Sequence, residues 1–154
     1  MAEEILTVEH LRNTEGRVLG VDFGDTRTGL AVSDPARFLA SGIGYISPGG
    51  IEKTAAKVAE IAQEKKALSI VVGLPRNMDG SAGFRAQRCL DFAALLRQAL
   101  PNATVVMIDE RLTTVSASRY LNETNTRGSK RRGVIDTLSA EIILQNALDR
   151  LKNL

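Results

Sequence analysis

The sequence has no tryptophan, one cysteine and one histidine, and aromatic residues make up only 4% of it. Each scarcity excludes something. A lone Cys89 can neither close an intrachain disulfide nor build a zinc site, so a reducing, cytoplasmic setting is expected. His10 is the only imidazole and lies in an acidic N-terminal stretch, away from any plausible site; a Ser-His-Asp nucleophile system is therefore not supported. With so few aromatics, base stacking on aromatic platforms is not expected. No apolar run approaches the roughly 18 residues that span a bilayer. The start, MAEEILTVEH, lacks a basic segment followed by an apolar one, so neither a secretory signal nor an Arg-rich transit peptide is expected. Repeats, low-complexity tracts and linkers are also lacking.

What is present suits one ordinary domain of 154 residues, with 44% hydrophobic and 25% charged residues. A chain of this size buries roughly 70% of its unfolded surface and needs no disulfide or metal to hold a core. The net charge of +2 is unevenly spread. Residues 111–132 carry Arg111, Arg119, Arg127, Lys130, Arg131 and Arg132 against only Glu123, so the remainder is net acidic. A local basic stripe on a near-neutral chain suggests one anionic contact face, and a solvated basic loop is the competing reading.

Along the chain, residues 1–16 read as an N-terminal extension, loose or with a short helix. RVLGVDFG is a buried strand, GDTRTG a tight turn and TGLAVSD a returning strand. ASGIGYISP gives a third strand weakened by glycine. IEKTAAKVAEIAQEKK then changes to period 3.6, with Ile51, Ala55, Val58, Ala59 and Ile61 on a stripe. ALSIVVGLP is a buried parallel strand, and RNMDGSAG a loop. Ser81 is a candidate N-cap for a helix through Leu100. TVVMIDE is another buried strand. Thr113 can cap a short helix to about Asn122. The segment NETNTRGSKRRG reads as a mobile loop, and a last helix runs from about Val134 to Leu151. The order β-β-β-α-β-α-β-α-α predicts an α/β fold over residues 17–154: a mixed five-stranded sheet with helices on both faces. That is the order of the ribonuclease H-like fold, and pattern alone leaves other α/β topologies open.

Acids at three places stand out. Asp22 lies in an apolar strand between Gly20 and Gly24, where a carboxylate is costly unless paired or bound to a cation. Asp25 already fits the turn role. Asp109 and Glu110 end a strand, where open α/β sheets commonly bind ligands. Being adjacent they point to opposite faces, so at most one joins a shared site. Asp136 complements a helix N-terminus, yet it also shares a face with Ala140, Ile143 and Ala147. That face is small and apolar, so it looks inward. Oxygen ligands without cysteine or histidine clusters suit Mg²⁺ or Mn²⁺, and two such ions can drive phosphodiester cleavage.

Four stretches, LGVDFGDTRTGLAVSD (19–34), VVGLPRNMDGSAG (71–83), DERLTTVSA (109–117) and KRRGVIDTLSAEIILQNAL (130–148), together resemble the YqgF family, also called RuvX. Its members are described as pre-16S rRNA nucleases and as Holliday junction resolvase-like proteins. The resemblance implies a ribonuclease H-like fold, with Asp22, Glu110 and Asp136 as the catalytic, metal-binding acids. It selects Glu110 over Asp109, which spacing could not do. It also implies nucleic-acid contacts at Arg27, Arg111 and Lys130, while Arg131 and Arg132 belong to the same basic stripe. Ser139 departs from the pattern, standing where the family usually has a small apolar residue.

The implied function is a divalent-metal-dependent endonuclease on structured nucleic acid, maturing the 5′ end of the 16S rRNA precursor. The alternative is a resolvase of four-way DNA junctions, which needs two sites and so a homodimer. VDFGDTRTG also looks like the first phosphate loop of the actin and sugar-kinase ATPases, but one domain and no second phosphate loop weigh against that. A non-catalytic ribosome-assembly module is a further reading, against which the three acids argue. No membrane partner is expected.

Overall fold

The computed structural model describes residues 6–75, 83–109 and 128–154. The described residues form five strands: β1 (Val18–Asp22), β2 (Thr28–Ser33), β3 (Ala40–Ile46), β4 (Ser69–Leu74) and β5 (Thr104–Asp109). Among the described residues, three α-helices alternate with or follow them: α1 (Ile51–Glu64), α2 (Phe84–Ala99) and α3 (Gly128–Lys152). The sheet order is β3-β2-β1-β4-β5. β1, β2 and β3 pair antiparallel as a meander. β4 and β5 pair parallel to β1 and to each other. The carboxyl ends of β1, β4 and β5 therefore lie at one end of the sheet. This is the expected mixed five-stranded arrangement.

Each face of the sheet has its own core, because side chains alternate along a strand. Leu19, Val21, Ile70, Val72, Val105 and Met107 pack under α1 and α2. On α2, Cys89 and Phe92 are buried in the same cluster, and Phe92 stacks on Phe23 with ring centroids 4.5 Å apart. On the opposite face Val18, Ala31, Ala40, Val71 and Val106 pack under Ala140, Ile143, Leu144, Ala147 and Leu148 of α3. The inward stripe expected on the last helix is thus present.

α3 starts at Gly128, six residues before the position expected for it. Lys130, Arg131 and Arg132 therefore lie in a helix rather than in a loop. Lysine and arginine are good helix formers, and Gly133 answers to packing rather than to a chain break, since a Cβ there would come within 2.7 Å of the Tyr45 ring. α2 starts at Phe84 with Gly83 as its N-cap. Ser81 and the helix expected from Thr113 to Asn122 lie outside the described residues.

Residues 6–16 lie against the α3 side. A short 3-10 helix, Val8–Leu11, buries both its end residues. The Leu6 carbonyl accepts from the Met107 N–H on β5 at 2.9 Å. Arg37, in the left-handed region at φ 64°, donates to the carbonyls of Gly16 at 2.6 Å and Leu11 at 3.2 Å. Arg150 near the end of α3 donates to Glu9 at 2.8 Å.

Candidate active site

β1 ends in Asp22, which is half-buried rather than enclosed in mid-strand. The turn that follows is tight: a Cβ at Gly24 would collide with the Arg27 carbonyl. It reverses the chain so that Asp22 stands directly opposite Gly29 of β2. Directly opposite residues share a sheet face, and for this pair it is the α3 face. Gly29 has a specific neighbour there. A side chain on it would collide with the backbone carbonyl of Asp136. The helix therefore rests on bare strand backbone at this point, with the backbone of Asp136 over Gly29, the residue one strand spacing, about 4.8 Å, from Asp22.

Two further glycines permit the same approach. A Cβ on Gly20 would lie 2.6 Å from Leu144 Cβ and 3.1 Å from the Ala140 carbonyl. One on Gly42 would lie 2.6 Å from Thr137 Cγ2. Gly20, Gly29 and Gly42 belong to three neighbouring strands, so α3 crosses the meander in a groove of missing side chains.

The same turn presents Arg27, whose Nε donates to Asp136 Oδ2 at 2.6 Å. Their side chains are 30% and 18% exposed, so this pair is largely withdrawn from water. Asp25 is engaged elsewhere, accepting from Arg88 of α2 at 2.8 and 3.0 Å. Its carboxylate, with lesser contributions from Asp91 and Glu52, holds the Arg88 guanidinium more firmly protonated than usual.

Of the expected acids, Asp22 and Asp136 are brought to one face at one end of the sheet. Asp109 ends β5 in register with Leu74. Its parity is that of Val105 and Met107, which pack under α1 and α2. Glu110 and Arg111 lie outside the described residues. Lys130, Arg131 and Arg132 occupy the first turns of α3, ten to eight positions ahead of its buried stripe at Ala140. Among the described residues no group of three or more histidine, cysteine or acidic side chains could hold a metal. The donors that do converge are carboxylates, whose hard oxygens suit Mg²⁺ or Mn²⁺.

Sequence reasoning did not single out Gly29 or Tyr45. Tyr45 stands opposite Gly29 on β3 and is 50% exposed, so Asp22, Gly29 and Tyr45 form one row across three strands. The only sequence sign of either was the glycine content of the two strands. No described helix is long and apolar enough to cross a membrane.

The sequence profile of the family described as RuvX, Holliday junction resolvase, matches residues 16–150. A protein of Ruminiclostridium cellulolyticum, named "Putative pre-16S rRNA nuclease", is 42% identical over 88% of this chain and 95% of its own length. One from Cereibacter sphaeroides with the same name is 46% identical over 88% of this chain and 84% of its own. Among solved structures, RuvC of Thermus thermophilus in complex with Holliday junction substrate has a TM-score of 0.56 at 13% identity, over 89% of this chain and 96% of that one. The fowlpox virus Holliday junction resolvase has a TM-score of 0.52 at 13% identity, over 90% and 99%. Identity that low speaks for the fold alone, which is ribonuclease H-like. The profile match runs from just before β1 almost to the end of α3, and by that match the chain belongs to the RuvX family.

Proposed function

We propose that the chain is a divalent-metal-dependent endonuclease that cleaves phosphodiester bonds of structured RNA, and that its substrate is the 16S rRNA precursor at its 5′ end. The observation that supports this reading is the seating of the Asp136 backbone on Gly29, the residue directly opposite Asp22 at the carboxyl end of β1. Glu110 is the third member, as the resemblance to the family implies. The sequence names of the relatives from Ruminiclostridium and Cereibacter supply the substrate class.

Asp22, Asp136 and Glu110 would hold the ion, Mg²⁺ or Mn²⁺. When bound, such an ion activates a water and stabilises the leaving oxygen. The protein's own contribution is placement. β1, through β2, and α3 meet in backbone contact at Gly29, and Arg27 opposes the charge of Asp136. Arg27 would also take a substrate phosphate. Arg111, Lys130, Arg131 and Arg132 supply further cationic contacts, which act on phosphates without regard to base identity.

A second reading is the resolution of four-way DNA junctions by a homodimer, favoured by the description of the matching family. Cleavage of precursor rRNA and of a junction, side by side with Mg²⁺ or Mn²⁺, separates the two. Asp22→Asn is the control: an amide is nearly isosteric but a poor ligand for hard cations. Cleavage is expected to vanish while the melting temperature holds or rises. Full metal-dependent cleavage by this variant would overturn the assignment.

A further inference from the structure

Tyr45 stands in the row Asp22, Gly29, Tyr45, with Gly29 as the shared neighbour of both. Two strand spacings, about 10 Å, separate it from Asp22. Its ring lies against the backbone of Gly133 on α3. A Cβ there would come within 2.7 Å of Cε1, 3.3 Å of Cδ1 and 3.4 Å of Cζ. One side of the ring is thus supported by glycine backbone, and the residue remains 50% exposed. Of the exposed aromatics among the described residues, Phe38, Tyr45 and Phe84, only Tyr45 occupies this row. Phe38 lies at the far end of the meander, where Lys152 Nζ is 5.0 Å from its ring centroid.

We infer that Tyr45 stacks on a nucleobase flanking the bond to be cleaved, and so makes a base-dependent contact in a site otherwise built for phosphates. The inference rests on the nuclease reading for its substrate. A ring that is fixed on one side and open on the other is suited to stacking, because little rotamer freedom remains to be lost on binding. Every base has a π-face, so the contact is tolerant of sequence. It favours unpaired over paired nucleotides, since a base inside a duplex already has its faces covered. The scarcity of aromatics excludes an extended platform, and one ring suffices for one base.

The test needs no cleavage. The chain has no tryptophan and two tyrosines, so Tyr120→Phe leaves Tyr45 as the dominant ultraviolet emitter. Titration without divalent ions uses two probes: an RNA duplex with a single-stranded extension, and the same duplex with abasic nucleotides in that extension. Tyr45 emission is expected to be quenched by the first and not by the second. Tyr45→Ala is expected to bind the base-bearing probe roughly 5- to 150-fold more weakly and the abasic probe unchanged. Tyr45→Phe, which keeps the ring, is expected to bind both as the parent does. If the ring merely covers Gly133, Tyr45→Ala changes stability and lowers affinity for both probes alike or for neither, and the quenching does not depend on bases; that result overturns the inference. Should Tyr45→Ala not fold, the quenching comparison decides alone. The two readings fail separately. Base-independent behaviour, with cleavage abolished by Asp22→Asn, sinks the stacking contact and spares the nuclease. Base-dependent quenching without cleavage under Mg²⁺ or Mn²⁺ does the reverse.

Discussion

Arg27 and Asp136, 109 residues apart in sequence, are joined by a hydrogen bond of 2.6 Å between Nε and Oδ2. The turn after β1 thereby supplies a counter-charge to an acid on α3. A cation bound at the acids would supply another. Arg27→Met keeps the length of the side chain and removes its charge. A largely buried carboxylate left without its partner costs about 1–3 kcal/mol. The variant is expected to melt lower than the parent without metal, and to gain more from added Mg²⁺, because the ion then neutralises Asp136. Thermal melts of both proteins with and without Mg²⁺ measure this, and equal metal-induced shifts would contradict it.

Gly29→Ala tests the seat of the site. The new methyl would collide with the Asp136 carbonyl, which is backbone and cannot rotate away. Overpacking of this kind costs about 1–3 kcal/mol. The helix must lift, parting Asp22 from Asp136. Both melting temperature and cleavage are expected to fall, and cleavage to fall further than partial unfolding explains. A variant with a lowered melting temperature and parental turnover per folded molecule would refute the placement.

Ser139 on α3 is 1% exposed, and its hydroxyl finds no hydrogen-bond partner among the described residues. An unsatisfied buried hydroxyl costs about 1–3 kcal/mol. The resemblance had marked this position as a departure from a small apolar residue, and the structure shows the physical penalty of the departure. Ser139→Ala is expected to raise the melting temperature by about 2–4 °C for each kcal/mol recovered, without altering cleavage. An unchanged or lower melting temperature would argue against it.

Glu9 has its carboxyl held down from 4.5 to about 2 by the Thr7 hydroxyl first, then by its own backbone N–H and by Arg150. A carboxyl with a depressed folded-state value stabilises fully above its unfolded value and loses that contribution as pH falls through the folded one. The window here runs from about 4.5 down to about 2. Glu9→Gln is expected to melt below the parent at neutral pH, with the gap closing across that window. A gap that is constant with pH would show that the charge is not responsible.

Arg131 and Arg132 precede the acid on the same helix. Each lost phosphate contact lowers the log–log salt slope of binding by about 0.7–0.9. The double alanine variant is expected to bind precursor rRNA more weakly and with a flatter salt dependence. Unchanged affinity and slope would remove these residues from the substrate face.

The meander, the later strands and the inward face of α3 were legible in the sequence, because each is written in a local period. Asp136, Ala140, Ile143 and Ala147 recur as a helix demands, and burial of the last three follows. The start of α3 was not legible. Glycines at 128 and 133 look like chain breaks, whereas Gly133 serves contact with a ring on β3. The row Asp22, Gly29, Tyr45 was not legible either. It depends on register across three strands, which shifts between Leu30 and Ala31, and no local pattern encodes such a slip. The partnership of Arg27 with Asp136 is hidden for the same reason, since it joins the two ends of the chain.

The groove formed by Gly20, Gly29 and Gly42 sets a one-sided limit on the site. A methyl at any of the three would already collide with the helix. Every side chain added in the groove pushes α3, and Asp136 with it, away from the strands. Substitution in the groove is therefore lopsided: it can loosen the seat of α3 but not tighten it. Activity in this protein should accordingly begin to fail by widening of the site, below the temperature at which the fold itself is lost.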